Sequence, residues 1–479
     1  MPSPAPPRGK AETIVSQISR AIEAGLMKPG DRLPSIRAAA EHYDVAKNTV
    51  VEVYDRLVAL GLVEARRGSG FFVGAVRRSS PEIQAPHVAE ALDILGLLRE
   101  QLDQHFEVRI GDGRPPASWM EGSELGRHMR LTGARGGEPI EHGYGSALGY
   151  GPLRERLSLM LAERSIPVGP DQVLLTHGAN HALDLIIRHA LEPGDAAMVD
   201  DPGYYPLFAK LKLAKVEMLG VRRLADGPDL DDFADKAASG RAKIFFTQSL
   251  AHNPTGSSMS VAVAHRLLQI AARHGVTIVE DDPFADVLAP TLYRLASLDQ
   301  LESVIYLGTF AKTLSASLRV GYIAASPRTV TVLRDMKMLT VVNSSGYVER
   351  LVHDLMISGH YRHHLKRLKT RIEQATEVAV GELGRFGLEI FSAPTGGYYL
   401  WCRIPAGRDD VTFSKAAAAE GIFIAPGTMF SPDRSAHSGH MRINVAYADD
   451  PRFLGFLTKA GRPGDVSLAA PVHSLQNRK

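Results

Sequence analysis

The sequence contains little cysteine, little tryptophan and no long apolar run. Of its 479 residues, one is cysteine, Cys402, and two are tryptophan. A single thiol excludes a disulfide within the chain and a cysteine-based zinc site, so no metal centre is expected. No stretch of about 18 apolar residues occurs, which argues against a membrane-spanning helix. The N-terminal MPSPAPPRGK lacks the apolar segment of a secretory signal, and we therefore expect a cytoplasmic protein.

The net charge is also small, at +2, but it is unevenly distributed. Residues 1–80 hold 12 Lys and Arg against 8 Asp and Glu, whereas the remainder holds 43 against 45. A basic excess at one end suits contact with a polyanion, and an ordinary solvated surface is the alternative. The length predicts two or three domains, and 44% hydrophobic with 23% charged residues is typical of globular proteins.

The N-terminal pattern predicts three helices followed by a hairpin. Apolar residues recur at helical spacing from Ile14 to Leu26, which indicates a first helix. Ser35 is a suitable cap for a short second helix, and Gly61 ends a third that begins at about Lys47. Two short apolar runs flank Arg67-Gly-Ser-Gly70 and predict a β-hairpin. This is the plan of a winged helix-turn-helix, with a small protein-binding helical domain as the alternative.

The segment GDRLPSIRAAAEHYDVAKNTVVEVYDRLVALGLVEARRGSGFFV resembles the DNA-binding domain of GntR-type regulators almost throughout. The resemblance implies a DNA-binding domain at 10–76, a linker at 77–102, and double-stranded operator DNA as partner. Ala46 departs from it, since the family usually has a serine there that caps the recognition helix. The implied DNA-contacting residues are Arg32, Ser35, Arg37, Lys47, Asn48, Thr49, Arg66 and Gly68.

Beyond the linker, apolar runs alternate with amphipathic helices. Continuous apolar strands separated by helices predict an α/β domain over 103–479, with a mostly parallel sheet covered on both faces. The predicted strands are 173–176, 197–200, 243–247, 277–281, 304–308 and 320–324.

The strongest chemical motif follows the predicted strand at 304–308. Lys312 lies in a turn of small residues, and Arg319 comes seven positions later. A lysine that forms a Schiff base must be reachable and close to groups that bind a phosphate. The Thr309 hydroxyl and the Arg319 guanidinium are suitable phosphate ligands.

Four further motifs follow other predicted strands, and each is weak when taken alone. The small turn at Thr176–Ala182 opens a helix and exposes backbone N–H groups to an anion. Tyr204 can stack on a flat ring, and Asn253 can donate to a ring oxygen. Among the three acids at 280–282, one buried carboxylate would keep a pyridine nitrogen protonated.

Together and in this order, the motifs resemble those of fold-type-I pyridoxal-phosphate enzymes, the aminotransferase superfamily, over about 105–460. The resemblance implies pyridoxal 5′-phosphate as cofactor and a small C-terminal α+β subdomain. Lys312 would form the aldimine, Asp281 would pair with the ring nitrogen, Asn253 would contact the 3-oxygen, and Tyr204 would stack on the ring. The remaining implied residues are Thr309, Arg319, Ala179 and Asn180 for the phosphate, Tyr144 for the partner subunit's phosphate, and Arg442 for a carboxylate.

A GntR-type domain joined to such a body resembles the MocR subfamily of regulators. That resemblance implies a head-to-tail, domain-swapped homodimer that is nucleoid-associated when bound to DNA. It also implies that an amine or amino-acid effector is sensed through the Lys312 aldimine. Taurine, a γ-amino acid and a diamino acid remain open as effectors. The alternatives are an active aminotransferase and a regulator that senses pyridoxal phosphate itself.

Two residues depart from the aminotransferase pattern. Phe284 stands where many of these enzymes carry a tyrosine that donates to the 3-oxygen, and Ala311 lacks a hydroxyl that many relatives show. Because phenylalanine cannot donate, we hypothesise that the Lys312 imine keeps its proton to higher pH than in an efficient transaminase. This interpretation favours sensing over turnover.

Overall fold

The computed structural model describes residues 10–23, 27–66, 69–74, 96–134, 143–405, 408–434 and 438–460. The chain divides into two units, Met1–Gln84 and Ala85–Lys479. Most of the expected linker lies outside the described residues, and its last residues begin a helix that buries Leu97 in the second unit. None of the helices in these described ranges has the length and apolarity needed to cross a bilayer.

The described residues of the first unit form three helices and a two-stranded antiparallel sheet, which confirms the winged helix-turn-helix. Ile14, Val50, Tyr54 and Leu57 are buried together in its core, as the helical spacing predicts. The strands pair in register from Val63 opposite Val73. The elements are α1 (Lys10–Glu23), α2 (Ile36–Tyr43), α3 (Lys47–Ala59), β1 (Val63–Arg66) and β2 (Gly70–Val73).

The two helix starts differ in their caps. Ser35 caps α2, because its hydroxyl accepts a hydrogen bond from the Ala38 N–H at 3.2 Å. Ala46 occupies the same position before α3 and supplies no side-chain bond. The recognition helix therefore begins without a side-chain cap, and its Thr49 N–H donates to the Ala46 backbone carbonyl at 3.0 Å instead.

The second unit is built on an eight-stranded, mostly parallel sheet, as predicted. Its order is β3-β10-β9-β8-β7-β4-β5-β6. The strands β4, β5, β7, β8 and β9 run parallel, whereas β10 is antiparallel to both of its neighbours and β6 is antiparallel to β5. The strands are β3 (Val173–Thr176), β4 (Ala196–Asp201), β5 (Glu217–Leu224), β6 (Gly227–Pro228), β7 (Ala242–Thr247), β8 (Thr277–Asp282), β9 (Val304–Thr309) and β10 (Gly321–Ala324).

Helices cover both faces of this sheet. Successive strand residues face opposite layers: Leu175 and Ile278 join one apolar cluster, and Leu174 and Val279 join the other. The helices are α4 (Gly96–Asp103), α5 (Ala117–Met120), α6 (Leu125–Ala134), α7 (Gly151–Glu163), α8 (Ala179–Ala190), α9 (Tyr205–Leu213), α10 (Leu230–Ala238), α11 (Val261–His274), α12 (Leu295–Asp299), α13 (Pro327–Val341), α14 (Gly346–Ile357) and α15 (His360–Arg385).

A smaller sheet forms the C-terminal α+β subdomain. It contains β11 (Tyr399–Arg403), β12 (Ala425–Pro426) and β13 (His440–Asn444) in the antiparallel order β11-β13-β12. The C-terminal half of α15 packs on it with α16 (Asp410–Ala419) and α17 (Pro451–Ala460). The single thiol, Cys402, is buried on β11, and burial raises its pKa to about 12.

The parallel strands bring the sequence motifs together. The segments with Tyr204, Asn253, Asp281 and Lys312 end or follow β4, β7, β8 and β9. Because these neighbouring strands run in one direction, their carboxyl ends meet at one edge of the sheet. The motifs, which together extend over more than 100 residues of sequence, therefore face a common site.

The uncapped start of α3 gives a direct prediction. Ala46→Ser restores a cap hydroxyl and should stabilise the first turn by about 1 kcal/mol. Hydrogen exchange of the α3 amides in the full chain should slow by roughly fivefold. Ala59→Ser, at the exposed last residue of α3, is the control and should not slow exchange. Unchanged exchange in Ala46→Ser would mean that the missing cap costs the recognition helix nothing.

Candidate functional site

Lys312 lies in the turn after β9, and its amino group is held by backbone. Its Nζ donates to the Gly113 carbonyl at 2.5 Å, and the Tyr399 hydroxyl donates to the same oxygen at 2.9 Å. The Tyr398 hydroxyl donates to the Lys312 carbonyl at 2.7 Å. The lysine is half-buried, so it is both anchored and reachable, as a Schiff-base lysine must be.

Asp281, at the end of β8, is a buried carboxylate with one unused oxygen. Its Oδ2 accepts from Gln248 Nε2 at 2.7 Å. Its Oδ1 is buried and has no hydrogen-bond partner among the described residues. Burial raises the pKa of Asp281 to about 6, against the lowering effects of the Gln248 bond and the Lys312 charge. An unpaired buried oxygen is costly, so this position favours a ligand that donates a hydrogen bond.

Gln248 connects the two ends of the site. Its Oε1 accepts from the Asn253 backbone N–H at 2.8 Å while its Nε2 bonds Asp281. Asn253 Oδ1 in turn accepts from Arg442 Nη1 at 2.9 Å. A continuous buried row of hydrogen bonds therefore runs from Asp281 to Arg442. The sequence interpretation missed Gln248, although its place at the end of β7, just before the Asn253 turn, was an available signal.

Arg442 is a buried cation with no buried counter-ion in the described part of the chain. The side chain is fully buried on β13, and Nη2 donates to the Gly111 carbonyl at 2.7 Å. The Tyr399 and Phe430 rings lie 4.7 and 4.9 Å from its Cζ. Nε has no partner, and no carboxylate of the described residues forms an ion pair with this guanidinium. A buried charge in this condition is suited to an anionic ligand group.

Tyr204 lies beside Asp281. Both contribute to the wall of one small cavity, together with Gln248 and several apolar side chains. Burial raises the pKa of the Tyr204 hydroxyl, and the negative charge of Asp281 adds to that effect. The ring therefore stays neutral and offers a flat apolar face next to the carboxylate.

The start of α8 forms a cradle with Arg319. Gly178 precedes the helix with φ +77°, and a Cβ there would lie 2.8 Å from Arg319 Nη2. A Cβ on Gly321 would lie 2.8 Å from the Gly178 backbone. Gly321 also pairs with Thr309 across the sheet, which brings that hydroxyl to the same corner. Arg319 Nη2 donates to the His177 carbonyl at 3.0 Å, just before helix α8 begins at Ala179. The guanidinium and the first N–H groups of the helix therefore converge where an anion can bind.

Other predicted residues lie away from this cluster. Tyr144 is 83% exposed and is not brought to the site within one chain, and its role toward a partner subunit stays a prediction. In the first unit, Arg32, Arg37, Lys47, Asn48 and Arg66 are exposed, Thr49 is half-buried, Ser35 is the α2 cap, and Gly68 lies outside the described residues.

Two families match the chain. Residues 127–453, more than half of the sequence, match the family described as aminotransferase class I and II. Residues 10–73 match bacterial regulatory proteins of the gntR family.

Among similar proteins, the probable rhizopine catabolism regulatory protein MocR of Rhizobium meliloti is 29% identical over 96% of both chains. The HTH-type transcriptional regulator TauR of Rhodobacter capsulatus is 29% identical over 86% of this chain and 88% of that protein. The solved structure of the α-aminoadipate aminotransferase LysN of Thermus thermophilus, complexed with N-(5′-phosphopyridoxyl)-L-leucine, has a TM-score of 0.69 at 24% identity. The match covers 77% of this chain and 96% of that one.

Burial of the Asp281 carboxyl should lower the stability of the ligand-free protein in a pH-dependent way. Asp281 has a pKa of about 6 when folded against an ordinary 3.8, so its ionisation lowers native stability as pH rises from about 4 to about 6. Asp281→Asn should therefore raise the Tm of cofactor-free protein by a few degrees at about pH 8, with a smaller gain near pH 4. Asp171→Asn, at a 95% exposed carboxylate, is the control. A gain independent of pH would contradict the assigned burial cost.

Proposed function

Because the chain belongs to the aminotransferase class I and II family and carries a gntR-family domain, as MocR-type regulators do, we propose that it is a pyridoxal-phosphate-dependent transcriptional regulator. Its effector would be an amine or amino acid that reacts at Lys312. The observation that carries the proposal is the buried row from Asp281 to Arg442. Among the residues that the structure describes, it has an unpaired acceptor at one end and a cation without a counter-ion at the other.

The residues of the site fit pyridoxal phosphate. The unpaired Asp281 Oδ1 suits a protonated ring nitrogen, and Tyr204 supplies an aromatic face beside it. At the start of α8, glycines let Arg319 approach the first backbone N–H groups of the helix, and these donors suit a phosphate. Lys312 provides the amine, which this cofactor requires for attachment.

When bound, pyridoxal phosphate supplies an aldehyde carbon that binds amines covalently. Asp281 would hold the proton on the ring nitrogen, and Asn253 would donate its side-chain N–H to the ring oxygen. Arg442 would bind the carboxylate or sulfonate of the effector, exchanging part of its present bonding to Asn253 and Gly111. Lys312 would hold the cofactor, and when its amino group is not so engaged it donates to the Gly113 carbonyl, as it does in the structure.

The segment 111–114 would respond both to effector binding at Arg442 and to the change in bonding of Lys312. Its carbonyls accept hydrogen bonds from Arg442, Lys312 and Asn444. A ligand that changes the bonds of Arg442 and Lys312 to this segment would bind one conformation of the segment more tightly than another. Such a difference in affinity is what allows a ligand to shift a conformational equilibrium. The segment follows α4, so it is close in sequence to the connection with the DNA-binding domain.

We also infer a homodimer that reads two operator half-sites. Tyr144, 83% exposed, would reach the phosphate of the partner subunit's cofactor. Exposed apolar side chains on and just after α13, including Leu339 at 88% and Val342 at 46%, support a protein partner on that face. Operator binding would keep the protein with the chromosome, in agreement with the expected cytoplasmic location.

A screen of amines tests the proposal. The operator is first selected from a library of random duplexes, and candidate amines are then titrated while cofactor absorbance and operator affinity are followed. An active amine should change both signals in the wild type, and Lys312→Ala should bind operator without responding. If no amine changes operator affinity, the sensing role is wrong.

Arg442 determines which amines are effective. Arg442→Gln should weaken binding of a carboxylate- or sulfonate-bearing effector by about 10- to 100-fold, because a charge-assisted bond is lost. The control is the corresponding amine without its acid group, whose binding should be unchanged. Equal weakening of both amines would point to a general packing defect instead of lost anion recognition.

The second candidate is a working aminotransferase, which the complete cofactor set and Arg442 favour. Amino-group transfer across a panel of donors and oxo-acids distinguishes it, since robust turnover supports an enzyme. A sensor of pyridoxal phosphate itself is a third candidate. It would change operator affinity on cofactor binding and show no spectral response to amines.

The missing hydrogen-bond donor at Phe284 distinguishes the proposed sensor from an efficient transaminase. The side chain is fully buried, with the Tyr398 and Tyr399 rings 5.2 and 5.6 Å away, and it cannot donate a hydrogen bond. We expect Phe284→Tyr to lower the pH midpoint of the cofactor absorbance band by roughly one unit, because a donated bond lowers the proton affinity of the Lys312 nitrogen. Phe310→Tyr, equally buried, is the control. A low wild-type midpoint would contradict the hypothesis.

A further inference from the structure

The first half of α15 is unusually basic. Residues 360–372, HYRHHLKRLKTRI, contain five Lys and Arg, three His and no Asp or Glu. The inward face buries Tyr361, His364, Leu368 and Ile372. The opposite face exposes cations.

Three of these cations share one solvent face. Arg362, Lys366 and Lys369 follow at i, i+4 and i+7, so they line up along about 10 Å of helix. Arg362 and Lys366 form no ion pair among the described residues, and Lys369 Nζ lies 3.9 Å from Glu373, one turn farther on. We name Arg362, Lys366 and Lys369 the basic face.

The basic face lies near the N-terminal end of α15, where cations destabilise a helix. The N-terminal end of a helix has a partial positive charge, which favours acids and disfavours cations in the first turn. Helix α15 has no acid in its first turn, its cap Gly359 provides no side-chain bond, and Arg362 is its third residue. Neighbouring like charges at i, i+4 are also unfavourable. Folding and packing of α15 require only its inward face, so they do not account for the basic face.

Arg367 and Arg371 have a separate, structural task. Arg367 donates to the Gly122 carbonyl, and Arg371 Nη1 donates to the Ser118 carbonyl at 3.1 Å. They fix the 118–122 segment against the helix. The basic face makes no comparable bond to the described residues.

We propose that the basic face is a second DNA-contacting surface, which binds operator phosphates in addition to the contacts of the helix-turn-helix domain. The inference rests on the proposed function, which makes DNA the partner. Each strand of a duplex presents one phosphate per about 3.4 Å of its axis, so a row about 10 Å long matches two or three phosphates. The contact would be independent of base sequence, because phosphates carry no sequence information.

The composition of the face favours DNA over a membrane. Surface-binding membrane helices combine cations with an exposed apolar face. Here the apolar residues of α15 are turned inward to the protein core, and the exposed side chains beside the basic face are polar ones such as Thr370. An acidic protein partner is the competing occupant, and the test separates it from DNA.

The test is the salt dependence of operator binding by the full-length dimer. The variant combines Arg362→Gln, Lys366→Gln and Lys369→Gln, and affinity for a selected operator duplex of about 40 base pairs is measured across about 50 to 300 mM salt. The slope of log affinity against log salt should become shallower by about 2 to 3 for each subunit whose basic face contacts the duplex, since each phosphate contact contributes about 0.9. Affinity should also fall on a random-sequence duplex of equal length.

The control removes the same charge elsewhere, through Arg385→Gln, Arg403→Gln and Lys415→Gln, and should leave the slope within about one unit of wild type. Glu373→Gln, which frees Lys369 from its acid, should strengthen binding. An unchanged slope in the basic-face variant overturns the inference while wild-type operator binding upholds the proposed function. Normal DNA binding with altered transcription would assign the face to an acidic protein instead.

Discussion

One buried carboxylate with an unpaired oxygen organises the large unit. Asp281 is buried, its second oxygen has no hydrogen-bond partner among the described residues, and burial raises its pKa. Such a group destabilises the ligand-free fold and is tolerated where a ligand completes it. Gln248 fixes its orientation, and through Asn253 the same row reaches Arg442, so groups for two ends of a ligand are positioned by one set of bonds.

Much of the fold was predictable from the sequence because the informative signals are local. The six predicted strands are continuous apolar runs, and each appears within a residue or two of its expected bounds. Strand β5 was missed because it is half-exposed and its apolar residues are interrupted by a glycine and two arginines. The small-sheet strand β13 was not predicted, although Arg442 within it was assigned a role, since His440–Asn444 mixes polar and apolar residues.

The residues of the site also fall into those that local motifs predict and those that only the fold brings together. Lys312, Asp281 and Asn253 belong to motifs with recognisable neighbours, and their placement at one sheet edge follows from parallel strands. Gly113 could not be predicted, because its carbonyl meets Lys312 across 199 residues and a glycine has no side chain to indicate a role. The missing cap at Ala46 was predictable, because a cap depends on one side chain and the adjacent backbone.

The central claim is that one molecule couples amine binding to operator binding. Thermodynamic linkage provides the most direct measurement: the factor by which effector changes operator affinity must equal the factor by which operator changes effector affinity. Both are measured on the same full-length protein under one buffer condition. The account predicts two equal factors of about 5 to 150. Operator affinity that is the same with and without bound effector, a factor of one, would contradict it.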